Sequence, residues 1–97
     1  MVKILNVMDG LEHLKDLGDG KRESGFWRGP DRNCEIILVF SKDSEVSLYG
    51  GRILSVETRV DPSGKKRKIF TFEDDPTQRG IRRPDRFRPN GCYAFQQ

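Results

Sequence analysis

One histidine and two cysteines are all the chain has of the residue types that most often hold metals or attack substrates. A single histidine, His13, excludes a ribonuclease built on a pair of histidines. Cys34 and Cys92 lack CxxC spacing, and with one histidine they do not make a zinc finger. They are also too few for a disulfide framework. A Cys34–Cys92 bridge would need the C-terminal end to pack beside the strand that carries Cys34, and two reduced thiols are the expectation. No P-loop and no GxGxxG occurs, so no nucleotide site is predicted. No apolar run reaches the ~18 residues of a membrane helix. Met1-Val2-Lys3-Ile4-Leu5 runs at once into Asn6, Asp9 and Glu12, which is not a signal peptide, so a cytoplasmic setting is expected. No cofactor is expected, and the reading is non-enzymatic.

Charge is what the chain has in quantity. Charged residues make up 34% of it, as many as the hydrophobic ones, against about 25% in an ordinary globular chain. The net charge of +3 hides an asymmetry. Residues 1–50 hold seven Lys/Arg against nine Asp/Glu, whereas residues 51–97 hold eleven against six. Because the apolar residues cluster, a small core under a charged surface is predicted, not disorder. At 97 residues the chain makes one domain, with a compact part over about 1–75 and an irregular basic segment over 76–97.

Cys34-Glu35-Ile36-Ile37-Leu38-Val39-Phe40 is the longest strongly apolar stretch. It is rich in β-branched residues and bounded by Gly29-Pro30-Asp31 and Ser41-Lys42-Asp43, so it reads as a central strand buried on both faces. Strands are also predicted over 2–7, 45–49, 52–60 and 67–73, and the stretch near 92–95 reads as either a short closing strand or an anchor. Asp9 with Glu12 has capping-box spacing, Leu11, Leu14 and Leu17 recur every three residues, and Gly18 is a stop. These features predict a helix over 10–17. Gly50-Gly51 reads as a turn, and residues 18–33 read as a glycine-rich loop. Asp61-Pro62-Ser63-Gly64 predicts a hairpin in which Phe70 and Phe72 meet the Leu54/Val56/Thr58/Val60 face. The fold class is therefore α+β, mainly β: an antiparallel sheet of about four to six strands, one short N-terminal helix and an irregular Arg/Pro-rich C-terminal segment.

Two basic clusters are the candidate binding residues. Lys65, Lys66, Arg67 and Lys68 follow the hairpin turn, and Arg79, Arg82, Arg83, Arg86 and Arg88 lie in the proline-broken segment. Arginines on an extended backbone can fork onto phosphates, and Phe87 can stack on a base. The expected function is a non-catalytic binding module whose basic face engages nucleic acid or a nucleic-acid-handling complex. The alternative is a small inhibitor or adaptor, of the kind mobile elements encode, that covers an acidic surface of a larger protein complex. Trp27 or Phe87 would then be its anchor. A third reading, a small ribonuclease toxin, would rest on His13, Tyr93 and the arginines. Trp27 sits between Gly25 and Gly29 and is expected to plug the core. Glu73-Asp74-Asp75 read as a solvated strand end, not a cation site.

Overall fold

A computed structural model of the chain describes residues 3–7, 14–27, 34–41, 43–82 and 92–96. Among these, seven strands occur: β1 (Lys3–Val7), β2 (Lys15–Gly18), β3 (Lys21–Glu23), β4 (Ile36–Val39), β5 (Tyr49–Val60), β6 (Lys66–Asp74) and β7 (Cys92–Gln96). They form one sheet in the order β2-β3-β6-β5-β4-β1-β7. β1 and β4 run parallel, with Leu5 beside Ile37 and Val7 beside Val39, and every other neighbouring pair is antiparallel. The sheet is thus mixed, a correction to the antiparallel expectation. β2 and β3 intervene and leave for the far edge, so the chain re-enters beside β1 in the same direction, as a crossover requires.

β4 is central because both of its faces are covered. Ile37 and Val39 join Leu5, Val7, Trp27, Phe70 and Phe72 in the main core, while Leu38 and Phe40 join Ile4 on the opposite face. β7 closes the outer edge against β1 and places Cys92 opposite Val7. Cys34 precedes the other end of β4, so the register separates the two cysteines.

The predicted helix over 10–17 is not formed. Lys15–Gly18 is strand β2, and residues 10–13 lie outside the described residues. Leu14 packs on the core but Leu17 is exposed, so the threefold spacing of the leucines is not used as a helix face. The decisive local signal is Asp19-Gly20, with φ of 52° and 74°. Positive φ at both central residues belongs to the type I′ turn that joins two strands, and Asp-Gly is a favoured pair for it. The stretch read as a loop over 18–33 therefore begins as a hairpin. The only helical turn among the described residues is a 3-10 turn at Pro76–Gln78, capped by Asp75, whose carboxylate accepts from the Thr77 N–H.

Glu45–Leu48 do not form a strand of their own, and Gly50-Gly51 is not a turn. Val46 bridges Arg82, Ser47 is buried, and its hydroxyl donates to the Gln78 carbonyl at 2.6 Å. Gly50 and Gly51 lie inside β5, opposite Leu38 and Ile37. A Cβ on Gly51 would fall on the Glu73 carbonyl oxygen, and one on Gly50 would meet the Ile37 carbonyl at 2.9 Å. The glycines are there for close backbone approach. The β5–β6 hairpin forms as expected, with Val56 opposite Phe70 and Thr58 opposite Lys68. Gly64 at its turn has φ 86°, and Asp61 Oδ1 accepts from the N–H groups of Ser63 and Lys65. A bulge between Ile53 and Ser55 puts Ile53, not Leu54, opposite Phe72.

Candidate functional site

The two basic clusters stand at opposite ends of the β5–β6 hairpin. Lys65 and Lys66 flank its tip, whereas Arg79 and Arg82 follow the 3-10 turn that packs on the start of β5. Strand rise over the length of β5 puts them on the order of 30 Å apart. Alternation also divides the first cluster. Lys66 and Lys68 pair with Val60 and Thr58 on one face, while Arg67 pairs with Arg59 on the other. Arg67 is 3.3 Å from Asp61, and the Lys68 ammonium donates to the Thr58 hydroxyl at 3.2 Å. Arg82 is exposed and makes no ion pair among the described residues. Arg83, Arg86, Phe87 and Arg88, with His13 and the Tyr93 side chain, lie outside the described residues. Trp27 belongs to the core: it is 9% exposed, and its indole N–H donates to the Ser24 carbonyl at 2.9 Å. This removes it as an interface anchor. Its neighbour Phe26 is the exposed aromatic of that segment.

Arg79 is committed elsewhere. Arg22 on β3 and Arg79 both bind Asp74 Oδ2, at 3.2 and 2.8 Å, and both guanidiniums lie over the Tyr49 ring, 4.4 and 4.9 Å from its centroid. Cation–π contact and shared carboxylate together fasten the segment after β6 to the sheet. Pairing of the arginine-rich segment with Glu73, Asp74 and Asp75 is legible in the sequence, but the part of Arg22 and Tyr49 is not, because both lie far along the chain from Asp74 and Arg79. Asp75 caps the 3-10 turn, and its hydrogen bonds from Thr77 hold its carboxyl below the usual aspartate range. Two of the three consecutive acids are therefore structural. Among the described residues no group of three or more His, Cys, Asp or Glu is arranged to hold a metal ion. No helix among them is long and apolar enough to cross a membrane.

The feature missed in the sequence is the outer half of β5. β4 covers only Tyr49–Arg52, and the last backbone bond on that side runs from Ile53 N–H to the Glu35 carbonyl. Beyond it, residues 54–60 have no strand partner on the edge away from β6 among the described residues. Every one of these seven residues is exposed, including Leu54 at 44%, Val56 at 42% and Val60 at 61%. On the other face, Arg59 binds Glu57 at 2.6 Å and reaches across β6 to Glu23 on β3 at 3.3 Å. The Arg59 hydrogen bond holds the Glu57 carboxyl below its ordinary value. A long strand with one edge open among the described residues and alternating valines is a template for another strand. The alternation Val56-Glu57-Thr58-Arg59-Val60 is visible in the sequence, but the pattern does not say whether a neighbour covers it.

Comparison with protein-family models, with curated proteins and with solved structures returns no match.

Proposed function

We propose that the chain is a non-catalytic binding module that docks a protein partner through the outer half of its β5–β6 hairpin. The observation that carries this reading is the edge of β5 over residues 54–60, open among the described residues, with its exposed apolar residues Leu54, Val56 and Val60. An extended segment added there gains main-chain hydrogen bonds from the edge and side-chain contacts from the valines. The test is a pull-down from nuclease-treated lysate of the source cells, comparing the native chain with Val56→Lys/Val60→Lys. Lysines on an edge strand oppose strand addition, and at exposed positions they should shift stability by no more than about 0.5 kcal/mol. A stoichiometric protein held by the native chain and lost by the variant supports the reading. Equal retention by both sinks it.

A second reading, direct contact with nucleic acid, is favoured by Arg82, which is exposed, unpaired among the described residues and leads into the run that holds Arg83, Arg86 and Arg88. Affinity should then fall steeply with salt through counterion release. Replacing these four arginines together should abolish binding to single-stranded RNA without unfolding the chain. Salt-insensitive or absent binding would remove it.

A further inference from the structure

The open segment of β5 is its own complement. Val56-Glu57-Thr58-Arg59-Val60 reads apolar, acidic, neutral, basic, apolar, so its reverse places an acid where the forward strand has a base. We infer that the occupant of the β5 edge is β5 of a second copy of this chain, paired antiparallel about a two-fold axis at Thr58. The inference rests on the hairpin-docking reading above and names its partner.

The register follows from geometry. A two-fold axis perpendicular to the sheet keeps each side chain on its own face, and residues directly opposite one another share a face. Only residues of the same parity can therefore face each other. Centring on Thr58 sets Val56 against Val60 and Glu57 against Arg59, each twice. Shifting the centre to Glu57 sets that carboxylate against itself, and shifting it to Arg59 does the same with two guanidiniums. Centring on Val56 faces Glu57 with Ser55, and centring on Val60 faces it with Ser63, so neither makes the Glu57–Arg59 pairs. Opposite charges across strands stabilise and like charges destabilise, so the Thr58 register is selected.

In that register Glu57 and Arg59 of the two copies form a square in which every adjacent corner has the opposite sign. Arg59 already binds its own Glu57 and Glu23 on β3, and a guanidinium has five donors, which leaves donors for the partner's carboxylate. The valines form a ladder on the other face, continuing the face that carries Lys66 and Lys68. The bulge at Leu54 and the end of β4 stop the pairing on one side, and the turn at Asp61 stops it on the other. Five residues per strand fall short of the ~1,200 Å² of a stable interface, so the dimer is concentration-dependent.

The test is sedimentation of the full chain across micromolar to millimolar concentration. The native chain should pass from monomer to dimer. E57R alone and R59E alone each turn two opposite-sign pairs into like-sign pairs and should weaken self-association at least about tenfold. A one-to-one mixture of the two variants should recover dimer, because one chain then presents two bases to the two acids of the other. Restored contacts within a chain cannot give that result. Thr58→Cys should cross-link to itself on oxidation, beyond the background of Cys34 and Cys92. A native chain that stays monomeric throughout overturns the inference, as does a dimer that neither reversal weakens or a mixture that does not recover. If the native chain is monomeric yet loses a lysate protein on Val56→Lys/Val60→Lys, self-pairing falls and the docking reading stands. Failure of both experiments removes both.

Discussion

Trp27 and Asn6 are both buried, and opposite outcomes are expected from replacing them. Trp27 fills the main core beside Phe70 and Phe72, with its indole N–H satisfied by the Ser24 carbonyl. Trp27→Ala removes that volume and should cost about 3–5 kcal/mol, seen as a large fall in melting temperature. Asn6 is 1% exposed, and neither its amide nitrogen nor its oxygen finds a partner among the described residues. It pairs with Leu38 in an otherwise apolar register. Leucine has a similar branched shape and no polar atoms to desolvate, so Asn6→Leu should raise stability by about 1–3 kcal/mol. Chemical denaturation checks it, and a loss would mean that the amide has a partner in the folded chain.

At the scale of elements, the glycine pair in β5 shows how one residue type answers two different needs. Gly64 and Gly20 have positive φ at their turns, whereas Gly50 and Gly51 let β5 come close to its neighbours. Gly51→Ala puts a methyl group into the Glu73 backbone, which cannot rotate away as a side chain could. It should cost about 2–4 kcal/mol, within the tail reserved for overpacking. Gly20→Ala meets no atom but is held at φ 74°, so its cost should be only about 1–2 kcal/mol. Equal denaturation midpoints for the two variants would contradict this division between contact and conformation.

For the molecule as a whole, acid should act through two turns and through the Glu57–Arg59 pair on β5, not through the core. Hydrogen bonds from the Ser63 hydroxyl and the Lys65 N–H hold the Asp61 carboxyl below its ordinary value, and those from Thr77 do the same for Asp75. The folded state therefore binds fewer protons at these sites than the unfolded one. The stability they contribute is present above the ordinary aspartate value of about 3.9 and is lost as pH falls through the lowered values. Asp61→Asn/Asp75→Asn keeps an oxygen at each turn but removes the titration. Its denaturation midpoint should fall less between pH 5 and 2 than that of the native chain, and equal slopes would rule this out. What the sequence determined by itself was local: the central strand, buried on both faces over 37–40 but not over 34–36, the Asp61–Gly64 turn, the pairing of Val56 with Phe70, and the core role of Trp27. Each follows from side-chain patterning or turn chemistry within a few residues. The Asp19-Gly20 turn was equally local and was outweighed by leucine spacing, which only packing could discount. Tertiary structure alone decided that β1 lies parallel to β4, that Arg22, Arg79, Asp74 and Tyr49 converge, and that β5 outruns β4. These depend on which strand lies beside which, and on the unequal lengths of neighbours. Alternating valines look the same in a sequence whether a neighbour covers them or solvent does.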